Sequence, residues 1–102
     1  MIIAHSGCEG TPDNSMESIM KGIKLGVDCV KIDIRMDEPG TLWLSHNTSN
    51  YVSAVLLEQA FSRIARSSIC VNCDLMEECA FYPVLELAEK CSLNKECLIF
   101  SG

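Results

Sequence analysis

The chain has 102 residues, 48% of them hydrophobic and 22% charged, which is the composition of one globular domain (1–102) and not of a disordered segment. Its 14 acidic and 8 basic side chains give a formal charge of −6 and no clustered basic face, arguing against a nucleic-acid partner. No apolar run approaches the roughly 20 residues of a bilayer span. Met1-Ile2-Ile3-Ala4 runs straight into His5, so the expectation is a cytoplasmic protein with neither signal peptide nor membrane insertion.

Short β runs alternate with amphipathic helical runs. A first strand covers Ile2 to His5 and ends in a Gly- and Pro-containing loop through Pro12. Asn14 is placed to cap a helix, with Glu17 in the capping-box position, and Met16, Ile19, Met20 and Ile23 form one apolar stripe. Gly26 supplies the helix stop. Strands are expected from Cys29 to Ile34 and from Thr41 to Ser45, joined by a stretch too short for a crossover helix. A helix follows from Ser53 to Ala65, with Ala54, Leu57, Phe61, Ile64 and Ala65 on one side. A fourth strand runs from Ile69 to Leu75. Pro83 sits in the first turn of a third helix with the stripe Val84, Leu85, Ala88 and Cys91. Cys97 to Phe100 is the fifth strand.

Such alternation implies a parallel sheet with helices outside it, either doubly wound or part of a barrel. His5, Asp33, His46 and Asp74 all fall at C-terminal ends of strands, where barrel enzymes build their sites. Open sheets bind ligands at the same ends. The seven cysteines, without a signal peptide, read as reduced thiols acting mainly as small apolar side chains. Cys70 and Cys73 have C-x-x-C spacing, but on a strand they point to opposite faces, and a zinc or redox pair would need a turn or a helix start there.

Taken together, these segments resemble the glycerophosphodiester phosphodiesterase family. Ile2-Ile3-Ala4-His5-Ser6-Gly7 and Pro12-Asp13-Asn14 resemble its opening strand, His-Arg-Gly and Pro-Glu-Asn. Val30-Lys31-Ile32-Asp33 resembles the strand carrying Glu-x-Asp. Leu42-Trp43-Leu44-Ser45-His46-Asn47 resembles the strand ending in His-Asp, and Val71-Asn72-Cys73-Asp74-Leu75 the strand with a further acidic ligand. The resemblance implies an incomplete TIM-type (β/α) barrel of about five strands and three helices, less than half of a typical barrel of about 250 residues.

It also implies a hydrolase that cleaves small-molecule glycerophosphodiesters to glycerol 3-phosphate and an alcohol. His5 and His46 would be the catalytic acid–base pair, and Asp33 and Asp74 would be ligands of a divalent cation, calcium or magnesium. Substrate contacts would fall to Lys31, Ser6 and Asp13.

Several positions depart from the family pattern. Ser6 replaces the phosphate-binding arginine, Asp13 a glutamate, and Asn47 an aspartate. Lys31 replaces the first carboxylate of Glu-x-Asp, and a protonated ammonium repels the cation that a carboxylate would hold. Two readings of Lys31 stand. It forms a salt bridge to Asp33 or Asp74 in a site without metal, or its ammonium takes the place of the cation on the phosphate. A different strand register would turn it toward the helices. The alternative to an enzyme is a non-catalytic fragment that binds phosphate or a partner chain, and the open sheet edge leads us to expect self-association.

Overall fold

The structure, a computed structural model, describes residues 3–5, 15–37, 40–45 and 55–101. Strand β1 (Ile3–His5) precedes helix α1 (Met16–Leu25). Strands β2 (Cys29–Met36), β3 (Leu42–Leu44) and β4 (Val55–Leu56) then lead into α2 (Leu57–Ala65). Strand β5 (Cys70–Leu75), helix α3 (Phe81–Lys90) and β6 (Leu98–Ser101) complete the order, with single 3₁₀ turns at Glu78–Ala80 and Lys95–Cys97.

The helix ends follow local chemistry. Ser15, rather than Asn14, caps α1: its Oγ accepts the backbone N–H of Ser18 at 3.1 Å, while Asn14 lies outside the described residues. Gly26 ends α1 at φ 72°, a left-handed conformation that a residue without Cβ adopts at least cost. Helix α2 begins two positions after Val55 instead of at Ser53, because Val55 and Leu56 pair with β3. The Gln59 side chain reaches back to accept the Leu56 N–H at 3.3 Å.

All five expected strands are present, and the short β4 makes a sixth. Strands β1, β2, β5 and β6 are mutually parallel neighbours, whereas β3 and β4 run antiparallel. The connection from β2 to β3 is a tight turn, so β3 can only fold back against β2. Asp37 secures that turn: its carboxylate accepts the Thr41 N–H at 2.8 Å and the Trp43 Nε1–H at 2.9 Å. These bonds, Trp43 first, hold the Asp37 carboxyl below its usual range.

Alternation along the strands separates two faces. Val30, Ile32 and Ile34 of β2, with Val71 and Cys73 of β5, point to the helices. They form one core with Ile19 of α1, Leu57, Ala60, Phe61 and Ile64 of α2, and Val84 and Ala88 of α3. Phe61 is fully buried and the largest side chain in that core. Of the expected α1 stripe, Ile19 is buried and Met16 and Ile23 pack partly, but Met20 is 41% exposed, so the stripe is narrower than its spacing suggested. No described helix is long and apolar enough to cross a membrane.

Candidate functional site

In a parallel sheet, residues level with one another on adjacent strands share a face, about 4.8 Å apart. The ladder therefore sorts the face away from the helices into rows. Ile3 of β1 is level with Cys29, and Cys29 with Cys70. His5 is level with Lys31, Lys31 with Asn72, and Asn72 with Ile99. Asp33 is level with Asp74, and Asp74 with Ser101. The order of these rows runs toward the C-terminal ends of the strands.

The sequence reading of Lys31 and Asp33 as face-mates is correct, since both are half-buried beside buried Val30, Ile32 and Ile34. Register adds what periodicity could not. Asp33 and Asp74 stand directly beside each other, and Lys31 lies two residues earlier, about 6.6 Å along the strand. The salt bridge from Lys31 to an aspartate is not made: among the described residues, no hydrogen bond or ion pair joins Lys31 to Asp33 or Asp74.

His5 occupies the final position of β1, level with Lys31. Ser6, Asp13 and His46 lie outside the described residues. Ser45, which precedes His46 in the sequence, is tied to the site, because its backbone N–H donates to the Asp33 carbonyl at 3.0 Å.

Two charged residues belong to this face that sequence reasoning did not single out. Arg35 follows Asp33 by two positions and forms an ion pair with Glu77, in the turn after β5. Glu77 also accepts the Met36 N–H at 3.0 Å through its other oxygen. This carboxylate therefore clamps the exit of β5 to the end of β2, beyond the Asp33–Asp74 row. The i+2 spacing from Asp33 carried the signal for Arg35, but nothing local marked Glu77.

Calcium and magnesium call for about six or more oxygen ligands, usually with several carboxylates. Here two carboxylates stand side by side with an ammonium in the next row, and no group of three or more His, Cys, Asp and Glu side chains converges among the described residues. The described donors do not fit such an ion.

No family model matches the sequence. The chain is 24% identical over 103 residues to the uncharacterized protein YqiK of Bacillus subtilis (strain 168), covering 96% of this chain and 42% of that protein. Its fold is that of solved glycerophosphodiester phosphodiesterases. The enzyme from Parabacteroides distasonis superposes with a TM-score of 0.82 at 17% identity, covering 96% of this chain and 54% of that one. The enzyme from Thermotoga maritima gives 0.80 at 23% identity, covering 98% and 53%, and that from Agrobacterium tumefaciens 0.79 at 15%, covering 98% and 56%. The chain thus spans about half the length of the proteins it matches. What it shares with the solved structures is an open portion of their barrel-like α/β fold.

Proposed function

We propose that this chain, built on part of the glycerophosphodiester phosphodiesterase fold, carries one side of a phosphodiester-hydrolase site acting on glycerophosphodiesters, with weak turnover by the 102-residue chain alone. The observation that supports this reading best is the register that sets His5, the last residue of β1, level with Lys31, one row before the aligned Asp33 and Asp74 on parallel strands. In that arrangement His5 and His46 exchange protons with the attacking and leaving oxygens, a task suited to imidazole near neutral pH. Ser45, pinned to Asp33, anchors the segment that leads to His46.

Lys31 supplies the positive charge nearest the reacting phosphate, with Ser6 and Asp13 as further substrate contacts. The described donors do not fit calcium or magnesium, and with less charge neutralisation the expected turnover is slow. Glycerol 3-phosphate and a free alcohol are the expected products.

The test is release of glycerol 3-phosphate from glycerophosphocholine by the purified chain, with and without calcium or magnesium. We expect slow hydrolysis that falls by roughly 10²–10⁴-fold in His5→Ala and in His46→Ala. Hydrolysis indifferent to both substitutions, or none at all, would overturn the proposal and leave a phosphate- or partner-binding fragment.

A further inference from the structure

At the other end of the strands, three cysteines meet. Cys29 and Cys70 are level on adjacent strands, and Cys97 immediately precedes Leu98 as Cys70 precedes its partner Val71. Cys29 is fully buried, while Cys70 and Cys97 are partly exposed. The C-x-x-C spacing pointed instead at Cys73, which sits on the helix face in the core with its thiol pushed up to about 12 by burial. The partner of Cys70 lies 27 positions onward, at the end of the 3₁₀ turn that leads into β6, and not on its own strand.

The neighbouring Cys97, with burial added, pushes the Cys70 thiol up to about 11. Asp28 and Cys29 are the other charged or ionisable groups acting on it. Both residues line open clefts. Cys70 lines a cleft of about 640 Å³ with Asp28, Arg66 and Ser68. Cys97 lines a second cleft of about 220 Å³ with Ser67, Ser92 and Asn94. Spacing between adjacent strands, about 4.8 Å, lies within the Cα separation that a disulfide spans.

We infer that Cys70 and Cys97 are an oxidisable pair, closed to a disulfide by a hydroperoxide and thereby stapling β5 to the edge strand β6. Cys97 attacks the terminal peroxide oxygen and gives up its proton to the departing oxygen. The O–O bond breaks, Cys97 becomes a sulfenic acid, and the peroxide leaves as its alcohol, or as water from hydrogen peroxide. The Cys70 sulfur then attacks the sulfenic sulfur. The S–S bond forms, the S–O bond breaks, and the hydroxyl departs as water with the Cys70 proton. The two thiols are oxidised by two electrons and the peroxide is reduced by two. Closing the loop from Cys70 to Cys97 restrains all of α3 in the unfolded chain and raises the melting temperature of the oxidised form.

The experiment is treatment of the intact chain with hydrogen peroxide, then non-reducing tryptic digestion and fragmentation mass spectrometry. The expected product is a cross-link between the peptides 67–90 and 96–102, with fragments that place the bond at Cys70 and exclude Cys73 and Cys79. It should be lost in Cys70→Ser and in Cys97→Ser and kept in Cys29→Ser. Dimedone added with the peroxide to the unsubstituted chain should label Cys97, which keeps the test decisive if a variant fails to fold. A cross-link at other cysteines, dimedone on exposed Cys79 but not on Cys97, or no cross-link once added free cysteine has been consumed would overturn the inference.

Discussion

The two faces of one sheet, built from alternate residues of the same strands, differ in nearly every physical respect. On β2, Val30, Ile32 and Ile34 are buried against three helices, while Lys31, Asp33 and Arg35 between them remain half-exposed and charged. On β5, Val71 and Cys73 contrast with Asn72 and Asp74 in the same way. One face holds the molecule together through apolar burial, and the other carries ionisable groups that add little to that burial. Chemistry can therefore change on the second face without loss of the fold. A residue such as Lys31 can therefore stand on that face within a chain that still superposes on enzymes of the fold at a TM-score of 0.82.

The contrast can be tested from its strongest consequence downward. Phe61→Ala empties the centre of the helix face and should lower unfolding free energy by about 3–5 kcal/mol, measured by urea denaturation. Lys31→Ala on the other face should cost within about 0.5 kcal/mol. Equal losses at the two positions would mean that the second face is packed as tightly as the first.

A subtler effect concerns what covers that second face. Parallel sheets are ordinarily covered on both sides, and here Ile99 is 38% exposed on the uncovered side of β6, itself paired only to β5 among the described strands. Sedimentation should show self-association that Ile99→Lys weakens, whereas a monomer at all concentrations would mean that the polar groups protect this face unaided.

Lys31→Glu should create a third carboxylate beside Asp33 and Asp74. Calorimetry should then detect calcium binding absent from the unsubstituted chain, with a calcium-dependent rise in melting temperature. No gain would show that the rest of the donor set is missing as well.

The smallest effect is at Asp37. Its folded carboxyl lies below its ordinary pKa of 3.8, so its contribution to stability is complete above that value and is lost as pH falls through the lower folded one. Asp37→Asn should remove that part of the acid limb and leave the two faces otherwise unchanged.

Much of this contrast was legible in the residues themselves. A period of two along Cys29–Met36 and Cys70–Leu75 assigns faces without knowledge of any partner. That is why Lys31 and Asp33 could be paired from the sequence. Register could not be read, because it is set by pairing between strands distant in the chain. Hence the alignment of Asp33 with Asp74, the clamp from Glu77 and the meeting of Cys70 with Cys97 appear only in three dimensions. Ser15 rather than Asn14 at the start of α1 is a shift of one residue between two good caps, which side-chain preference alone does not rank. The exposure of Met20 depends on how α1 rolls on the sheet, which apolar spacing does not specify.

Strand β2 is paired along Cys29 to Ile34 by β5 on one edge, so β1 and β3 must share the other: β1 beside Cys29 to Lys31, and β3 beside Ile34 to Met36. The hairpin of β2 and β3 closes over a few residues, whereas β1 must return across the length of α1, so loop-closure entropy favours the hairpin first. Strand β1 then docks into a berth whose far end is already taken, held by three paired residues among those described. Its amides should exchange with solvent by local release, far faster than those of Ile32 or Val71. His5, at the tip of that strand, should thus be seated late during folding and released early.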